Sequence, residues 1–162
     1  MPKLFCTRSL GSIVGYFSAG RGLPNFSLSM NPDFLISSRI LPYIAIVDDD
    51  PSVLKAIRRL LGSCGFCTET FASGRIFLDA LHGHSPDCVL LDLHMLGLTG
   101  WEVQAEMAAV GYSIPVIFIT GDSDPAVWDK AIAAGATALL RKPFSECQLL
   151  EAIALAITPI LI

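Results

Sequence analysis

The stretch YIAIVDDDPSVLKAIRRLL, Tyr43 to Leu61, sets an apolar run, three consecutive aspartates and a helical pattern end to end. Tyr43–Val47 is of strand length and apolar throughout, which marks a strand covered on both faces. Asp50-Pro51 then opens a helix: an N-cap carboxylate followed by the residue whose fixed φ suits the first helical position. Val53, Leu54, Ile57, Leu60 and Leu61 recur at helical spacing, with Lys55, Arg58 and Arg59 off the stripe, until Gly62 and Gly65 end it. Asp48, Asp49 and Asp50 stand at the junction. Like charges so close repel and resist losing water, so the fold must bring a positive charge to them.

The same unit repeats downstream. FCTETF (66–71) reads as a second strand and SGRIFLDAL (73–81) as a short helix; DCVLLD (87–92) is a third strand, with WEVQAEMAAV (101–110) as its helix. IPVIFIT (114–120) is a fourth strand, Asp124-Pro125 repeats the cap-and-proline start, and AVWDKAIAA (126–134) continues to Gly135. ATALL (136–140) is a fifth strand, and SECQLLEAIALAI (145–157) a last helix capped by Ser145. Strands alternating with helices predict an α/β fold: a doubly wound, five-stranded parallel sheet with right-handed crossovers and helices on both faces. Ligands of such sheets bind just beyond the carboxyl ends of the strands, where strand order switches direction.

Composition narrows the function. The 162 residues are 52% hydrophobic and 16% charged, with a net charge of −4. That suits one covered core and gives no broad attraction for nucleic acid or an anionic membrane. The five cysteines, Cys6, Cys64, Cys67, Cys88 and Cys147, are thinly spread, which fits a reducing, cytoplasmic setting. Cys64 and Cys67 follow a helix rather than open one, the wrong end for stabilising a thiolate. Residues 1–41 lack periodicity and are expected to form a disordered or loosely attached extension, with the domain spanning 42–160. Lys3 and Arg8 ahead of LGSIVGYFSAG only loosely match a leader peptide, and Met30 offers a second start.

The strand ends carry the chemistry: Asp48, Asp49 and Asp50 after the first strand, Asp92 after the third, Thr120 after the fourth and Lys142 past the fifth. Carboxylates converging on one rim need a cation, and oxygen-only ligands select a hard ion such as Mg²⁺. Thr120 offers a hydroxyl and Lys142 a mobile charge, a set able to balance an incoming phosphoryl group. No glycine-rich nucleotide loop follows any strand. Asp50 and Asp124 read as caps, and His82, His84 and Cys88 as loop residues at the far end of the sheet rather than a metal cluster.

IVDDDP, LLDLHMLGLTGWE, FITGD and RKPF, in this order and each at a strand end, resemble the receiver domain of two-component response regulators, a flavodoxin-like fold, over about Tyr43 to Ile157. The resemblance implies that Asp92 accepts a phosphoryl group from a sensor histidine kinase or phosphotransfer protein, with slow self-dephosphorylation and no other enzymatic activity. It implies Mg²⁺ held by Asp48, Asp49, Asp92 and the backbone carbonyl of His94, Asp49 directly and Asp48 through water. Thr120 and Lys142 would grip the phosphoryl oxygens, and Lys142-Pro143 would be cis. Beyond what the resemblance implies, the side chains of His94 and Asp122 are expected to set water access to the acyl phosphate.

Leu96 and Thr99 depart from the family pattern only in a loop, whereas Leu139 stands where the family usually has an aromatic switch residue. Acceptor chemistry is expected to survive this change while output coupling weakens. The expected reading is a stand-alone module that signals through protein contacts, without direct nucleic-acid or membrane binding. A homodimer or partner surface is expected on the fourth helix, fifth strand and fifth helix, which carry Trp128 and an apolar LLEAIALAITPILI tail. The main alternative is a receiver-like interaction module that works without phosphate, supported by Leu139. A small phosphatase is a poorer match, because His94 stands where its second aspartate would be.

Overall fold

In the computed structural model, residues 41–158 are described. Apart from Leu41, the expected extension over 1–41 lies outside them, as do residues 159–162. Along the chain run β1 (Tyr43–Val47), α1 (Pro51–Ser63), β2 (Cys67–Phe71), α2 (Gly74–Ala80), β3 (Cys88–Asp92), α3 (Gly100–Ala109), β4 (Val116–Thr120), α4 (Pro125–Ala133), β5 (Ala138–Arg141) and α5 (Glu146–Ile157). All pairings are parallel and the sheet order is β2-β1-β3-β4-β5. The order reverses between β1 and β3, which makes the crevice beyond these two strands the switch point.

Side-chain alternation divides the core into two layers. Ile44, Ile46, Leu90, Ile117 and Ile119 face Leu54, Ile57 and Leu61 of α1 and Leu149, Ala152 and Ile153 of α5. Ala45, Val47, Val89, Leu91 and Phe118 face Phe77 of α2, Val103 and Met107 of α3, and Ala131 of α4. β1, β3 and β4 are thus apolar on both faces, as their continuous runs require, at roughly 2 kcal/mol of burial per large side chain.

The caps follow the sequence closely. Asp50, Ser73, Thr99, Asp124 and Ser145 cap the five helices, and Thr99 with Glu102 and Ser145 with Gln148 form reciprocal capping boxes. Four strands, β2 to β5, start one or two residues later than expected, and for β2 and β5 the helix ends explain it. Gly65 (φ 86°) and Phe66 donate their N–H groups to Gly62 and Leu61, and Gly135 (φ 77°) and Ala136 donate to Ile132 and Ala131. These are Schellman closures, which occupy Phe66 and Ala136 in capping before β2 and β5 can begin. β4 likewise starts at Val116, because Pro115 lacks an N–H to donate to the sheet. Cys88 is a correction: it is a fully buried residue of β3, not a loop residue, and of the three only His82 and His84 lie in the loop, both exposed.

Candidate functional site: an acidic pocket at the switch point

Three strand ends converge on one crevice. Asp48 follows β1 and is 2% exposed; Asp92 ends β3 and is 4% exposed. Lys142, just past β5, reaches both: its Nζ donates to Asp48 Oδ2 at 2.8 Å and to Asp92 Oδ1 at 2.7 Å. The backbone holds each carboxylate in place. The Asp50 N–H donates to Asp48 Oδ1, the His94 N–H to Asp92 Oδ2, and the Leu96 N–H to Asp49 Oδ2, at 2.8, 2.9 and 2.8 Å. Thr120 ends β4, is 1% exposed and accepts the Asp122 N–H at 3.0 Å on its hydroxyl oxygen. The Lys142 N–H bonds the Thr120 carbonyl at 2.7 Å, and Lys142-Pro143 is cis, as the resemblance implies.

Asp48, Asp49 and Asp92 each offer a carboxylate oxygen within 4.8 Å of the others. Three carboxylates here face one ammonium, so the set is short of positive charge and its donors are all oxygen. That donor chemistry fits a divalent hard cation. Burial pushes the Asp92 carboxyl above its ordinary range, against the opposing pull of Lys142 and the His94 N–H. For Lys142, burial alone would lower the ammonium, but its bonds to Asp48 and Asp92 outweigh this and hold it above its usual value.

Of the residues singled out from sequence, Asp48, Asp49, Asp92 and Lys142 come together, with Thr120 at the end of the strand beside Asp92. His94 takes part through its backbone, its side chain being exposed. Asp50 and Asp124 cap helices and accept from Ser52 and Ala126. Sequence reasoning missed Gly100: a Cβ there would lie 2.5 Å from the Asp92 carbonyl oxygen and 3.1 Å from Leu93 Cα. Only glycine lets α3 start this close to the β3 end, and the Thr-Gly pair beside LDLHMLGL was the signal available. Also missed was Trp101, whose ring lies 4.6 Å from that of Phe118 and 4.4 Å beneath the Lys130 ammonium.

A doubly wound parallel sheet with an acidic, lysine-bridged pocket at its switch point defines a class of phosphoryl-handling and ion-binding α/β proteins. Within that class, residues 44–154 match the response regulator receiver domain, and the chain belongs to this family of two-component signalling domains. It is 40% identical over 114 residues to the response regulator protein TodT of Pseudomonas putida, covering 70% of this chain and 50% of that protein. It is 36% identical over 115 residues to the transcriptional regulatory protein FixJ of Bradyrhizobium diazoefficiens, covering 71% of this chain and 56% of that one. A response regulator receiver protein from Burkholderia phymatum superposes with a TM-score of 0.65 at 46% identity, over 72% of this chain and 94% of the other. The chain therefore spans about half the length of the curated relatives it matches.

Proposed function

We propose that the domain takes a phosphoryl group onto Asp92 from a phosphohistidine of a sensor kinase or phosphotransfer protein. The oxygen–phosphorus bond to Asp92 forms as the donor's nitrogen–phosphorus bond breaks and its imidazole leaves. The observation that carries this reading is the buried Asp92 carboxylate held at 2.7 Å from the Lys142 ammonium beside a second acidic pair. Lys142 is placed to follow charge from the carboxylate to the phosphoryl oxygens, and the Thr120 hydroxyl retains a hydrogen to donate to them. Asp48, Asp49, Asp92 and the His94 carbonyl would hold Mg²⁺, which supplies charge neutralisation for the incoming phosphoryl group. His94 and Asp122, both exposed at the rim, are the residues placed to govern water access to the acyl phosphate.

Output runs through protein contacts on α4, β5 and α5, where Trp128, Ile132 and Leu155 are 50, 61 and 68% exposed. Trp128 therefore does not fold away beneath neighbouring loops. This apolar surface suits a partner or a second copy. The matched stretch is about half of each curated relative, 50% of TodT and 56% of FixJ, and some relatives are named transcriptional regulators. The self-sufficient module without nucleic-acid output expected from sequence is thus a feature those relatives do not share. Among the described residues no helix is long and apolar enough to cross a membrane; a cytoplasmic location is part of the proposal.

A second reading rests on Leu139, which pairs in register with Phe118 and packs against the α2–α4 layer with no polar atom to exchange partners. It makes the domain an interaction module indifferent to phosphate. Intact mass after incubation with Mg²⁺ and acetyl phosphate separates the two. The phosphoacceptor reading predicts one added phosphoryl group that is lost in Asp92→Asn and on chelation of Mg²⁺. An unmodified wild-type protein would leave only the interaction module.

A further inference from the structure

We infer that the exposed stripe of α4 docks into a basic groove on α1 of a second copy of this chain, a head-to-tail contact between two different surfaces. The groove, of about 600 Å³, runs along α1 beside β2. Pro51, Leu54 and Gly62 line its floor, and Lys55, Arg58 and Arg59 stand along it, with no acid among the lining residues. In a chain of net charge −4 this is a local reversal of sign. Cations three and four residues apart on a helix repel one another. Among the described residues none of the three has a carboxylate partner, the ion pairs being made by Arg75 and Lys142 instead. Gly62 is a second, independent observation. Its φ is not positive and a Cβ placed there meets nothing within 4 Å, so neither backbone strain nor crowding calls for glycine. Within a helix glycine is also a poor choice on propensity alone. What it leaves is bare backbone at one end of the groove, open to close approach by another helix.

α4 carries the matching face. Trp128 and Ile132, four residues apart, form an apolar stripe that is 50 and 61% exposed. Asp124 lies one turn before Trp128 and Asp129 beside it, both exposed. Lys130, the cation of α4, is drawn away over the Trp101 ring, 4.4 Å from its centre. The stripe is thus apolar with an acidic border, and the groove apolar with a basic one. A helix laid in a groove uses anchors at this i, i+4 spacing. Trp128 and Ile132 seat on Pro51, Leu54 and the bare turn at Gly62, and Asp124 and Asp129 meet Lys55, Arg58 and Arg59. A second copy is the occupant because the complementary surface stands on the same chain, out of its own groove's reach: α1 and α4 cover opposite faces of the sheet. The contact is therefore heterologous and passes from copy to copy. It rests on α4 as an interaction surface and requires no phosphoryl group.

Sedimentation velocity of the full chain over a concentration series, without phosphoryl donor, tests the contact. The wild-type weight-average mass should grow with concentration and shrink as salt screens the charged borders. Arg58→Glu/Arg59→Glu, Gly62→Leu and Trp128→Ala should each weaken association by about tenfold or more, as loss of an interface anchor does. Circular dichroism should be unchanged in all of them, because every altered position is exposed. The decisive sample mixes Arg58→Glu/Arg59→Glu with Trp128→Ala. The first keeps an intact α4 and the second an intact groove, so together they should form a one-to-one dimer at concentrations where each alone is monomeric. A mixture that stays monomeric while the wild type associates would overturn the contact. So would groove variants that associate like the wild type while Trp128→Ala does not, a result that leaves α4 pairing with itself. A monomeric wild type would overturn it too and leave the α4 face to another protein. Association untouched by Trp128→Ala would overturn the contact together with any part of α4 in pairing copies.

Discussion

Lys142 divides one positive charge between two buried carboxylates, and this uneven division sets the properties of the resting pocket. With Asp48, Asp49 and Asp92 all ionised the site is over-charged, and removal of Asp92 from water is what dominates its raised pKa. The sign of the linkage follows. A carboxyl raised in the folded state adds stability when protonated, fully so below its ordinary value of 3.8, and that contribution is lost as pH rises through the folded value. At neutral pH and without divalent ions the Asp92 charge is therefore a cost. Asp92→Asn, which keeps the shape and an acceptor for Lys142, should be more stable than the wild type at pH 7 in chelator. Denaturant titrations across pH should show that advantage fading as the pH drops below 3.8. A less stable Asp92→Asn protein would mean that Lys142 outweighs burial at this site.

At the scale of elements, α3 sits closest to the chemistry, and it does so because of a glycine. The Gly100 N–H donates to the Leu93 carbonyl at 3.2 Å, and the atoms a Cβ would meet there are backbone, which cannot swing aside. Gly100→Ala should cost about 2 kcal/mol of stability by forced overpacking, and it should slow acceptor chemistry by shifting the Asp92 end of β3. Urea denaturation and acetyl-phosphate labelling rates check the two effects separately. Most element boundaries were legible because local chemistry fixes them: Asp-Pro and Ser caps start helices, and glycines with positive φ end them. The starts of β2 and β5 were misjudged by one and two residues because periodicity does not show that Phe66 and Ala136 are engaged in closing the helix before. Cys88 was read both into the DCVLLD strand and, with His82 and His84, into the loop before it, and the register that pairs it with Ile44 decides for the strand.

For the whole molecule, the candidate site was legible because a parallel doubly wound sheet sends every strand's carboxyl end to the same edge, so residues far apart in sequence could be placed together without coordinates. The lateral ties were not legible. Lys130 over Trp101, Gln104 to Ala134, and Arg75 to Glu106 join neighbouring helices, and nothing in helical periodicity selects which exposed residues meet across such a gap. The metal expectation has a global readout. Mg²⁺ at ten times its dissociation constant should stabilise the domain by about 1.4 kcal/mol, seen as a raised denaturation midpoint, and chelation or Asp49→Ala should abolish the gain. Equal stabilisation of the Asp49→Ala variant would place the ion elsewhere.

Among the carboxylates of this pocket, Asp92 is the one proposed to become the acyl phosphate. Borohydride reduces an aspartyl phosphate to homoserine and leaves free carboxylates alone, so reduction after labelling with Mg²⁺ and acetyl phosphate, followed by peptide mass mapping, locates the acceptor. Homoserine is expected at position 92 and nowhere else. Homoserine at position 48 or 49, or an unmodified peptide at position 92 in a labelled protein, would contradict it.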